Sequence, residues 1–85
     1  MEQYLDVSML EPCEPLERIL AAIDKLPDGD YIKVIHRREP HPLYPMLEKA
    51  GFAWHIEPGG PSEFQLFIWR REDRVAAEAV TRQLG

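Results

Sequence analysis

One cysteine, three histidines and two arginine clusters carry most of the chemistry open to this chain. Cys13 stands between Pro12 and Glu14-Pro15, just before an apolar stripe of helical spacing. Free N–H groups at a helix start favour a thiolate, so Cys13 is a candidate nucleophile. Glu11, Glu14 and Glu17 work against it, because like charge raises the pKa of a thiol. Cationic help would have to come across space, from Arg37 or Arg38. The competing reading is a loop thiol with no special reactivity.

His36 and His41 flank a loop and, with Cys13 or Glu39, form a weak alternative metal site. Together with His55 they lack a tight ligand spacing, so surface or structural roles compete with ligation. Arg37 and Arg38 either hold an anion, such as a phosphate or a partner's carboxylate, or offset nearby acids. Arg70, Arg71 and Arg74 have the same two readings. Trp54 reads as core with Phe52 and Ile56, whereas Phe67 and Trp69 read as interface. The chain has no Gly-rich phosphate loop and no Ser–His–Asp pattern. A self-contained hydrolase or transferase therefore has no support.

The elements that must position these residues follow from periodicity. Tyr4-Leu5-Asp6-Val7 alternates as a short first strand. Pro15 suits an opening helical turn, and Leu16, Ile19, Leu20, Ile23 and Leu26 then form one apolar stripe. Pro27-Asp28-Gly29-Asp30 turns the chain into a second strand, Tyr31 to His36, with Ile32 and Val34 toward the core. The loop from Arg37 to Pro42 leads to a second helix with Leu43, Met46, Leu47 and Ala50 on one face and Gly51 as its cap. Phe52 to Ile56 is a third strand, Pro58 to Ser62 a hairpin loop, and Glu63 to Arg70 a fourth strand.

The resulting fold class is α+β, a two-layer α/β sandwich of order βαβαββ. Its four-stranded mixed sheet carries two helices on one face. An extra C-terminal helix, Glu72 to Leu84, follows, with Val75, Ala79, Val80 and Leu84 on one side. Its stripe is narrow and needs a docking surface. Phe67 and Trp69 alternate away from Phe64, Leu66 and Ile68, so they need a cover on the second face. Either this tail helix supplies it or a second copy does, in a homodimer through Phe67 and Trp69.

Eighty-five residues make one small domain with a thin core, burying roughly 60–65% of the surface of the unfolded chain. The lone cysteine excludes an internal disulfide. No apolar run approaches the length of a membrane span, and Met1-Glu2-Gln3-Tyr4 lacks a signal-peptide layout, so a prokaryotic cytoplasmic location is expected. The net charge is −5, and the first thirty residues carry eight acids against Arg18 and Lys25. Such a balance disfavours general nucleic-acid binding and leaves discrete anion contacts open, and the short apolar runs leave no membrane partner expected.

Several segments, in order, resemble the TusA-like (SirA-like) superfamily. They are Leu5-Asp6-Val7, Leu10 to Glu17 and Leu26 to Asp30. Within it, Glu39-Pro40-His41-Pro42-Leu43-Tyr44 and Gly51-Phe52-Ala53-Trp54 resemble the domain-of-unknown-function family 2249. The resemblance spans roughly residues 4 to 70. It places a TusA-like domain at 1–71 and a helical extension at 72–85. It implies a βαβαββ sandwich and, for the superfamily, sulfur carriage by a cysteine in a Cys-Pro-x-Pro motif at the start of the first helix. Here the motif reads Pro12-Cys13-Glu14-Pro15, with cysteine and proline exchanged. The resemblance makes Cys13 the candidate persulfide carrier; Pro15, Arg37, Arg38 and His41 are the candidate binding residues, although Arg37-Arg38 reverses the charge of the acidic loop common in that family. The partner would be a sulfurtransferase or desulfurase, and no cofactor is expected. A ligand- or metal-binding domain using His36 and His41, and a structural dimerisation module, are the other readings.

Overall fold

The computed structural model describes residues 1–10, 14–60 and 63–85. Four strands and three helices alternate as β1 (Glu2–Asp6), α1 (Glu14–Asp24), β2 (Tyr31–His36), α2 (Leu43–Ala50), β3 (Phe52–Pro58), β4 (Phe64–Arg70) and α3 (Arg74–Leu84). The strands form one mixed sheet in the order β1-β2-β4-β3. β1 runs parallel to β2 with Leu5 opposite Val34. β2 and β4 are antiparallel with Val34 opposite Leu66, and β4 and β3 are antiparallel with Ile68 opposite Trp54. The fold is therefore α+β.

Alternation along the two central strands divides the interior. Ile32, Val34, Leu66 and Ile68 pack with Ile19 and Ile23 of α1 and with Leu43 and Leu47 of α2. Neighbouring residues on a strand point to opposite faces, so Tyr31 and Phe67 look the other way. There they meet Val80 of α3, with Trp69, Ala79 and Leu84 around them. The face left open between the tail helix and a second copy is thus taken by the chain's own α3. Phe67 is only 3% exposed, and a dimer through it would require α3 to leave.

Several boundaries differ from the periodic reading: β1 spans Glu2–Asp6, β3 runs on to Pro58, and α3 begins at Arg74 rather than Glu72. α1 stops at Asp24, and Leu26 enters the core from the turn beyond it. On α3 the buried residues are Ala76 and Val80, whereas Val75 is 63% exposed. The capping residue sets this phase. Asp73 Oδ1 accepts from the Ala76 N–H at 3.0 Å, and its Oδ2 accepts from the Gly29 N–H at 2.6 Å. One carboxylate therefore starts α3 and ties it to the α1–β2 turn. Gly29 holds that turn at φ 83°, a conformation that disfavours any side chain.

Candidate functional site

Because β1 and β2 are parallel, the connections leaving them emerge at the same end of the sheet. His36 lies opposite Phe64, which brings the β3–β4 hairpin to that end too. Open α/β sheets bind ligands beyond the carboxyl ends of parallel strands, where the connections diverge. The Val7 N–H donates to the Ile35 carbonyl at 2.9 Å, and Arg37 Nη2 reaches Met9 Sδ at 3.6 Å, so the two connections touch. Asp6 shapes the first of them. Its Oδ1 accepts from the Ser8 N–H and hydroxyl at 2.9 and 2.7 Å, and these bonds, the hydroxyl's foremost, hold its pKa below the ordinary value.

A groove of about 310 Å³ opens between α1 and the β2–α2 loop. Pro15, Leu16 and Ile19 form one wall, and Pro40, Pro42 and Leu43 the other. His36, Arg38 and Glu39 supply its polar edge. The prolines are there for a local reason: each sits at or next to the first turn of a helix, where a missing N–H costs nothing. Their rings then leave an apolar wall between two helix starts.

His36 is half-buried at the end of β2. Burial lowers its pKa below 6.5, and the Arg38 N–H donates to its Nδ1 at 3.1 Å. At neutral pH the ring is therefore uncharged, with its proton on Nε2. Glu39 is held from α2, where the Tyr44 hydroxyl donates to Oε2 at 3.3 Å. Burial, with the Glu39 charge adding to it, pushes the Tyr44 pKa up to about 12. The Tyr44 ring lies flat against Trp54 at 5.2 Å, and His41 stands edge-on to Tyr44 at 5.9 Å. His41 is well exposed, with Nε2 3.7 Å from Glu39 Oε1.

Pro15, His36 and Arg38 therefore meet in one groove. Arg37 lies beside it against Met9, and His41 stands outside on the aromatic row. Cys13, two residues before Pro15, lies outside the described residues. Among the described residues no three His, Cys, Asp or Glu side chains cluster to hold a metal ion. His36 spends Nδ1 on a backbone N–H, and His55 pairs instead with Glu57 at 3.3 Å. Glu39 organises the loop with Tyr44 and does not join a metal cluster among the described residues, and Tyr44 carries no functional reading in the sequence. Their signal was the short spacing that lets the start of α2 reach back to the loop. No helix of the described residues is long and apolar enough to cross a membrane.

The model of one protein family, described as "Uncharacterized conserved protein (DUF2249)", matches residues 4–70. No curated protein matches the chain, and no solved structure does.

Proposed function

The chain belongs to the DUF2249 family of uncharacterized conserved proteins, and we propose that it is a small carrier module that works through a protein partner. Residues 4–70 are read as a TusA-like two-layer sandwich, with α3 added to its second face. The groove between the start of α1 and the β2–α2 loop receives an apolar segment of the partner. Arg37 and Arg38 at its edge favour acidic residues beside that segment. Cys13 carries the chemistry.

The step proposed is sulfur relay from a desulfurase or sulfurtransferase. The Cys13 thiolate attacks the outer sulfur of the partner's cysteine persulfide. A new S–S bond forms on Cys13, the partner's S–S bond breaks, and the partner's cysteine leaves as a thiolate. No net oxidation occurs, and no cofactor is needed. Glu14 and Glu17 in the first turn of α1 oppose the thiolate, and the two arginines offset them. A reducing, cytoplasmic setting suits this chemistry.

The observation that carries the reading is the apolar groove beginning two residues after Cys13 and edged by Arg38. A carrier must present its sulfur beside a surface its partner can recognise. The test is intact-mass measurement after incubation with a cysteine desulfurase and cysteine. The wild type is expected to gain sulfur-sized increments, and Cys13→Ala is expected to gain none. An unmodified wild type would overturn the relay.

A further inference from the structure

We infer that the cleft at the opposite end of the sheet, between the end of β4 and the start of α3, binds a phosphate-sized oxyanion through Arg70 and Arg74. This cleft has a volume of about 630 Å³ and is lined by Arg70, Arg71 and Arg74, by the acids Asp28, Glu72 and Asp73, and by an apolar patch that includes Phe52 and Val75. It shares no lining residue with the groove beside α1.

Arg70 gives the cleft its character. Its guanidinium lies 5.6 Å over the Phe52 ring, and its side chain is 35% exposed. Among the described residues, its Nη1 is the buried side-chain nitrogen without a hydrogen-bond partner. A buried N–H without an acceptor is costly, and such groups mark sites where an ion or water completes the structure. The nearest carboxylate oxygen, Asp28 Oδ1, is 4.0 Å away on a fully exposed side chain, too far and too well solvated to serve. Arg70 lines the cleft, and an oxyanion held there would offer the acceptor that this guanidinium lacks.

The other charges at this end are already engaged or open to water. Asp73 spends both oxygens on backbone N–H groups, so the start of α3 is capped from within. Arg71 is turned aside, with Nη2 donating to the Glu48 and Phe52 carbonyls at 3.1 and 3.4 Å. Arg70 and the exposed Arg74 both line the cleft and remain for a ligand, and the planar fork of a guanidinium matches a pair of phosphate oxygens. Exposed Glu72 opposes them, so the expected affinity is modest.

The experiment is a titration of the full chain with inorganic phosphate, followed by ¹H–¹⁵N spectra at constant ionic strength against chloride. Saturable shifts are expected at Gly51, at Glu72 to Val75 and at the Arg70 side chain. Arg70→Gln is expected to weaken binding about tenfold. Arg74→Gln, on an exposed side chain, serves as the second variant should the first disturb the fold. Arg82→Gln, elsewhere on α3, should leave binding unchanged. No saturable shift, equal binding by both arginine variants, or shifts that chloride reproduces would overturn the site. An equal response to acetate would overturn its preference for phosphate. Cys13→Ala should bind phosphate as the wild type does, so this site and the sulfur relay fail or stand separately.

Discussion

His36 couples the groove to pH. Its folded pKa is depressed by burial below 6.5, so between the folded value and 6.5 the unfolded chain binds more protons. Its contribution to stability is complete above 6.5 and is lost as the pH falls through the folded value. Protonation would also require Nδ1 to give up the Arg38 N–H, loosening the residue that edges the groove. A ¹H–¹⁵N titration of the imidazole is expected to give a midpoint below 6.5, with Arg38 shifting in step. A midpoint at or above 6.5 would show that the ring is solvated and the groove open to water. The downward direction of the shift was not legible from the residue type or its neighbours, because it comes from burial in the folded chain. That His36 and Arg38 lie at the carboxyl end of a core strand was legible.

At the scale of elements, Asp73 has the widest reach. It caps α3 and holds the turn that leads from α1 into β2. Both bonds lower its pKa from 3.8, that from Ala76 first, so this stabilisation is present above 3.8 and declines as acid protonates the folded carboxylate. Thermal unfolding at neutral pH should rank wild type above Asp73→Asn, and Asp73→Asn above Asp73→Ala. Asparagine keeps a capping oxygen but offers one acceptor where the carboxylate offers two. Equal melting of the Asn and Ala variants would mean that the cap contributes nothing.

The same residue explains why α3 was harder to read than α1. In α1, Leu16, Ile19, Leu20 and Ile23 leave no doubt about the buried face. In α3 the apolar side is mostly alanine, so the cap and the Gly29 contact choose the phase, burying Ala76 and turning Val75 outward. Alternation on β4 showed that Phe67 needed a cover. It did not show whether the chain's own tail helix or a second copy would supply it. The stacking of Tyr44 on Trp54 was equally hidden, because it joins α2 to β3 across space.

For the whole molecule, size decides how much damage the fold tolerates. A chain of this length has a total stability of about 4–13 kcal/mol. Leu66 is fully buried on the central strand β4, within the cluster that both α1 and α2 complete. Leu66→Ala is expected to cost roughly 2–5 kcal/mol by denaturant unfolding, enough to leave the variant marginal. A loss well under that range would mean that the cluster closes over the cavity and is softer than its burial indicates.

The proposed partner surface lies at the end of the sheet where β1 and β2 release their connections. Arg38 is exposed on that surface and outside the core, so it can be reversed in charge without disturbing the fold. The most direct measurement is the rate of sulfur loading onto Cys13 from a cysteine desulfurase, followed by intact mass in wild type and Arg38→Glu. Loading should proceed in the wild type and slow about tenfold in the variant, with the gap narrowing as salt is raised. Equal rates in the two proteins, or no loading of either, would contradict it.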